Sequence, residues 1–183
     1  MSISQKIISG LSDKWLIEKA KKGDKVAYGK LYMKYLDQIY RYIYFRVNNN
    51  RFESEDLTEI VFLKAWDNIR RGNFRNENFR AWIFRIARNI VIDNYRKNTP
   101  YVPVNQDFPA SVDLLDDFIK DSKKQEIASA LNSLPGEQKE VVSLKFISGL
   151  KNEDIAGILN KTKQAVRALQ YRALKNLRKQ LDL

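Results

Sequence analysis

Apolar residues recur at three- and four-residue steps along most of the chain, the period of a helix, and no strand alternation of useful length appears. The first long pattern follows Gly23. Tyr28, Leu31, Tyr32, Tyr35, Ile39 and Ile43 trace one stripe, Asp24 stands where an N-cap accepts free amides, and Asn48 to Asn50 end the run. A shorter helix is expected ahead of it, from about Asp13 to Lys22. Next comes "EDLTEIVFLKAW", in which Leu57, Val61 and Ala65 form a stripe widened by Phe62 and Trp66, with Ser54 as the expected cap. "RRGNFRNEN" interrupts the period, and "FRAWIFRIARNIVIDNYRK" resumes it from Phe79 to Lys97. That last stretch sets Trp82, Ile83, Ile86, Ala87 and Ile90 at core spacing among five basic residues.

Three of the four prolines (Pro100, Pro103 and Pro109) fall in a stretch of scattered acids without a period, which reads as a linker. The expected fold is therefore all-α: two small helical domains, 1–97 and 122–183, joined by an acidic, proline-containing linker at 98–121. In the second domain helices are expected at about 122–133, 137–148, 152–159 and 163–181, with Pro135 and Gly136 stopping one before the next begins. Only "NKT" separates the last two, which is helix-turn-helix spacing. Ile155, Ala156, Leu159, Val166, Leu169, Ala173 and Leu177 would pack that pair together. Asn160 can take the left-handed turn and Thr162 can cap the second helix. Gln164, Arg167, Ala168, Tyr171 and Lys175 then lie away from the core stripe, a composition suited to a DNA major groove.

Composition narrows the function. The 183 residues include no Cys and no His, which excludes disulfides and thiolate metal sites and removes the commonest general base. Glu55, Asp56 and Glu59 could approach one Mg²⁺, but such a site usually needs ligands from elsewhere, so a nuclease is a poor reading; no metal or cofactor is expected. The net charge of +11 favours a polyanionic partner. It is also uneven: eight basic residues against two acids from Arg70 to Lys97, then a reversal of sign across the linker. With no apolar leader core and no run long enough for a membrane span, the chain is expected to be cytoplasmic, unprocessed and without membrane insertion.

Two motifs then agree. "EDLTEIVFLKAW" followed by "FRAWIFRIARNIVIDNYRK" resembles region 2 of the sigma-70 family, and "LPGEQKEVVSLKFISGLKNEDIAGILNKTKQAVRALQYRALKNLRK" looks like its region 4. A short linker with no domain between them is similar to the extracytoplasmic-function (ECF) subgroup. The resemblance implies a sigma factor that binds the clamp helices and flap of core RNA polymerase, captures melted minus-10 promoter DNA and reads minus-35 duplex. It implies that Glu55, Asp56 and Glu59 face the polymerase clamp. The loop carrying Asn73, Phe74, Arg75, Asn76 and Asn78 would hold a flipped base, and Arg80, Arg85, Arg88, Asn89, Arg96 and Lys97 would track the single strand. In region 4, Thr162, Lys163, Gln164, Arg167, Ala168, Tyr171, Arg172 and Lys175 would face the minus-35 duplex. Many members of the family are held by an anti-sigma factor, which becomes an expected partner.

The residues alone support that division, because unstacked bases are held by stacking and pockets while a basic track neutralises the backbone. Phe74 is balanced between stacking and core. The chain departs from the family pattern at Ile60, where Glu is frequent; at Lys151, where a capping Ser is common, so that either Asn152 caps one residue later or the helix loses about 1 kcal/mol of capping; and in "VRALQYRA" of the recognition helix. The alternative is a stand-alone helix-turn-helix transcription regulator whose first domain senses a signal or dimerises.

Overall fold

The Asp24 carboxylate accepts hydrogen bonds from the amides of Val26 (2.9 Å) and Ala27 (3.0 Å), and the long tyrosine-striped helix starts at the next residue. The computed structural model describes residues 12–75, 78–97 and 122–181. In chain order the helices are α1 (Asp13–Lys21), α2 (Lys25–Arg46), α3 (Arg51–Arg70), α4 (Phe79–Lys97), α5 (Ser122–Asn132), α6 (Gly136–Val142), α7 (Asn152–Leu159) and α8 (Lys163–Gln180). The fold is all-α, as the periodicity predicts. The expected linker at 98–121 lies outside the described residues, as does Asn76.

Two capping assignments are corrected. Asn50, not Ser54, caps α3: its side-chain oxygen accepts from the Glu53 amide at 3.2 Å. Ser54 lies a full turn inside the helix, buried, with its hydroxyl donating back to the Asn50 carbonyl. The reason is local. Asn48 and Asn49 both take positive φ (54° and 65°), so the chain reverses sharply and re-enters helical geometry at Arg51. Asn152 does not cap α7 either: Lys151 occupies the cap with no side-chain bond. The Asn152 amide instead exchanges two hydrogen bonds with Gln170 of α8 (3.0 and 3.4 Å).

The first four helices pack on one another, with α1 against α2 and α3. Leu16, Leu31, Ile39, Ile43, Val61, Ile69, Ile83 and Phe84 are fully enclosed, and Tyr42 meets Phe84 edge-on at 5.5 Å between ring centres. In the second half α6 and α7 pack along α8 around Leu144, Ile155, Val166 and Leu169.

The two halves also pack on each other. Leu144, Leu150, Ile155 and Val166 belong to one continuous buried cluster with the core of the first four helices. Phe45, at the end of α2, inserts among Leu131, Leu134, Val142 and Ala173 of the second half. Burying a phenyl ring there is worth about 1.5–3 kcal/mol. Between α6 and α7 the backbone widens into a π-helical turn, Ser143–Ile147, and then reverses through Gly149 at φ 62°. A side chain at Gly149 would crowd the Arg80 guanidinium, with a Cβ 3.3 Å from Nη2, so the close approach as well as the positive φ favours glycine.

Candidate nucleic-acid and polymerase interface

In the helix-turn-helix, Asn160 adopts the left-handed conformation (φ 52°, ψ 48°) that terminates α7. Two residues later the Thr162 hydroxyl accepts from the Ala165 amide at 3.1 Å and starts α8. This turn fixes the angular position of α8: Val166, Leu169 and Ala173 go inward, while Lys163, Gln164, Arg167, Ala168, Tyr171, Arg172 and Lys175 stay on the exposed side. Tyr171 is 69 % exposed, far more than packing alone would leave a ring of that size. Lys163 is paired with Glu153 of α7 at 2.9 Å, a surface ion pair worth little that draws the Glu153 carboxyl below its usual range. Arg172 reaches its own helix, with Nε donating to the Ala168 carbonyl at 3.3 Å.

On α3 the outward stripe mixes acids with apolar groups. Asp56 and Glu59 are exposed, and Glu55 is half-buried with Arg51 on it at 2.9 Å. Beside them Phe52, Ile60 and Leu63 are 48, 39 and 59 % exposed, a run of large apolar groups left partly in water. Next to this stripe a cleft of about 310 Å³ is lined by Lys25, Tyr28, Tyr32, Glu59, Phe62, Leu63 and Trp66. The Tyr28 hydroxyl donates to the Phe62 carbonyl, and burial is the main reason its phenol is pushed well above the ordinary range.

The loop before α4 and α4 itself carry the remaining basic residues. Asn73, Arg75, Asn78, Asn89, Arg96 and Lys97 are exposed; Arg80, Arg85 and Arg88 are half-buried. Phe74 is enclosed: its ring meets Trp82 at 4.9 Å and Phe79 at 6.0 Å, and Lys21 lies over it at 5.8 Å. In this arrangement Phe74 packs and presents no face to a base. Beneath the loop a second cleft, of about 270 Å³, is lined by Asp13, Lys14, Ile17, Glu18, Phe74, Asn78 and Phe79.

Where the second half meets α2 and α4, charged groups are buried together. The Glu140 carboxylate of α6 receives Arg46 Nη2 at 3.0 Å and the Tyr42 hydroxyl, and lies 3.9 Å from Arg88 Nε. Burial, reinforced by the facing carboxylate, holds the Tyr42 phenol well above its ordinary pKa. Beside it Lys139 donates to Asn48 Oδ1 (3.2 Å) and Asn132 Oδ1 (2.8 Å), and burial next to Arg46 pulls its ammonium down to about 8.

Comparison with known proteins gives this geometry a context. The sigma-70 region 2 family matches residues 31–100 and the sigma-70 region 4 family matches residues 124–177. The chain is 30 % identical to the ECF RNA polymerase sigma factor SigW of Bacillus subtilis over 90 % of this chain and 94 % of that protein. The chain belongs to the ECF sigma factors of the sigma-70 family. It is also 33 % identical to the ECF sigma factor BldN of Streptomyces coelicolor over 88 % of its length, while spanning 63 % of that relative. Among solved structures it resembles CnrH, determined in complex with the cytosolic domain of CnrY, with a TM-score of 0.71, 26 % identity and coverage of 93 % of this chain and 97 % of that one.

This ECF sigma factor therefore carries both family regions in order, on the helices where the motifs place them. Sequence reasoning missed two groups of residues. Phe52 and Leu63 show no signal, because a wide apolar stripe in a helix does not reveal which edge of it stays uncovered. Tyr42, Arg46 and Glu140 come together across 94 to 98 positions of sequence, a separation over which no periodicity speaks. Among the described residues no cluster of His, Cys, Asp or Glu could hold a metal ion, and no helix is long and apolar enough to cross a membrane.

Proposed function

We propose that this ECF sigma factor binds core RNA polymerase and directs it to promoters, reading minus-35 duplex with α8 and holding melted minus-10 DNA along the loop before α4 and α4. The observation that carries the reading is the match of both sigma regions, in order, to relatives such as SigW that the chain spans nearly whole. The free outer face of α8 supports it: Gln164, Arg167 and Tyr171 stand ready for base edges, Ala168 permits close approach, and Lys163, Arg172 and Lys175 meet phosphates. Thr162 acts through its capping bond, which positions the start of that helix.

The polymerase face is the stripe of Asp56, Glu59, Ile60 and Leu63 with Glu55 at its edge, where exposed apolar groups give affinity and the acids give register. Asn73, Arg75, Asn76 and Asn78 form the base-capturing loop, with Phe74 as part of its floor. Arg80, Arg85, Arg88, Asn89, Arg96 and Lys97 supply the backbone track. The chain does no covalent chemistry of its own and acts in the cytoplasm. An anti-sigma factor is the proposed inhibitor, consistent with the fold's likeness to CnrH, whose structure was determined with the CnrY cytosolic domain. A stand-alone regulator finds no support, because the first half matches region 2 and not a sensing module.

Binding to purified core polymerase tests the reading at its first step. Leu63→Asp and Glu59→Lys should each weaken the complex at least several-fold while leaving the melting temperature of the free chain unchanged. Unaltered affinity in both would assign this face of α3 to solvent and remove the polymerase contact proposed here.

A further inference from the structure

We propose that the outer side of α1 and of the first half of α2 is a membrane-contact face, by which the free chain adsorbs reversibly on an anionic bilayer. This goes beyond the promoter role given above, which uses none of these residues.

Local sequence builds the face. α1 buries Leu16, Ile17 and Ala20, and α2 buries Ala27, Leu31 and Tyr35, so positions half a turn away on both helices point outward. The two helices are joined by the short turn at 22–24. At the other end Lys34 and the Tyr35 hydroxyl clasp the Asp13 carboxylate, the lysine at 2.7 Å. The pair therefore runs antiparallel, and the two outward sides form one surface. On it Trp15 is 50 %, Met33 53 % and Val26 71 % exposed, three large apolar groups turned to water. Lys19 lies over the Trp15 ring at 5.7 Å.

Around these apolar tips the charge is positive and of one kind. Lys14, Lys19, Lys22, Lys25 and Lys30 have no carboxylate within ion-pair distance among the described residues. The acids nearby are occupied, Asp13 by Lys34, Glu18 by Lys21 and Asp24 by its capping bonds. No arginine precedes Arg41 in the sequence, whereas α4 and α8 are rich in it. That difference separates two kinds of polyanion. The arginine fork suits a phosphodiester or a base edge, and a nucleic-acid face has no use for Val26 and Met33 standing in water. Lysine stems instead carry their charge above an apolar layer, and tryptophan is a ring that settles at a membrane–water boundary. The two clefts described above, which would suit a peptide or a helix, have none of the three apolar residues in their walls. No described helix is long and apolar enough to cross a bilayer, so the contact is peripheral. Most of the face also precedes residues 31–100, the part that matches region 2.

Sedimentation of the full-length protein with sucrose-loaded vesicles tests the face, with equal parts phosphatidylglycerol and phosphatidylcholine set against phosphatidylcholine alone. A net charge of +11 draws the chain toward any anionic vesicle, so the variants decide. Trp15→Ser, Val26→Ser and Met33→Ser together keep every charge and should weaken binding to the anionic vesicles about five-fold or more. Lys19→Gln with Lys30→Gln should weaken it about ten-fold or more, and decides alone if the triple variant fails to fold. Both should leave affinity for random-sequence duplex DNA within about two-fold. Lipids brominated near the headgroup should quench the wild-type fluorescence more than that of Trp15→Phe, since Trp82 is 7 % exposed and Trp66 packs on Tyr28.

No sedimentation with the anionic vesicles overturns the face, as does bromolipid quenching equal in the two proteins. Sedimentation that the folded variants leave unchanged also overturns it, and assigns adsorption to net charge alone. Equal losses for vesicles and duplex DNA would give these residues to nucleic acid instead. Polymerase is absent from every arm, so a failure here leaves promoter-directed initiation standing, and a failure of initiation leaves the vesicle result standing.

Discussion

Arg167 is exposed on the outer side of α8, so under the proposed reading the consequence of losing it depends chiefly on what it touches in DNA. Arg167→Ala should cost about 1–3 kcal/mol at a cognate minus-35 element and relax preference at one base pair, measured by competition among operator variants. Uniform weakening with a shallower salt slope would mean a phosphate contact; no change in affinity or slope would take Arg167 out of the interface. Lys139 gives a prediction of a different kind. Folding pulls its ammonium from 10.5 to about 8, chiefly through burial and then through Arg46. Between those values the unfolded chain binds a proton that the folded chain has released, so stability should rise with pH from about 8 toward 9, below the range where the unfolded chain's tyrosines ionise appreciably and oppose the rise. Urea midpoints at the two pH values measure this. Lys139→Met should remove the rise, and an equal rise in that variant would assign it to another group. Neither the burial of Lys139 nor that of Glu140 was legible in "EQKEVV", since the groups they meet, Asn48 and Asn132 for the lysine and Tyr42, Arg46 and Arg88 for the glutamate, lie on other elements.

At the scale of single helices the sequence was informative wherever a signal is local. Asp24 and Thr162 cap where their positions predict, and Asn160 takes the left-handed turn. The Ser54 cap failed because an Asn four residues earlier, after a tight reversal, competes for the same role and wins. The Asn152 cap failed because Gln170, eighteen residues away, holds its amide. Both misses have one cause: a capping side chain has several possible partners, and sequence spacing shows only the nearest. The empty cap of α7 offers a stabilising change. Lys151→Ser should raise stability by about 0.5–1 kcal/mol, and Thr162→Ala should lower it by about 1 kcal/mol, both read from urea midpoints. If Lys151→Ser instead destabilises the chain, the lysine stem contributes packing that outweighs a cap.

Across the whole molecule, periodicity and the proline-rich break were enough to show two helical domains, and the charge balance was enough to point to nucleic acid. How the domains meet was not legible. Phe45 reads as one more apolar residue of the α2 stripe, yet it sits in the core of the other half. Arg80 and Arg88 read as free cations, yet they face Ser148 and Glu140. A helical pattern specifies which side of a helix is dry, not which partner keeps it dry, so a surface serving both a neighbouring domain and DNA has the same pattern as one serving either. The central claim remains that this chain gives core polymerase its promoters. Run-off transcription with purified bacterial core polymerase on a random-sequence promoter library, with and without the protein, tests it most directly. Discrete start sites that appear only with the protein, preceded by shared minus-35 and minus-10 elements, are the predicted result; no initiation with a core enzyme that demonstrably binds the chain would contradict it.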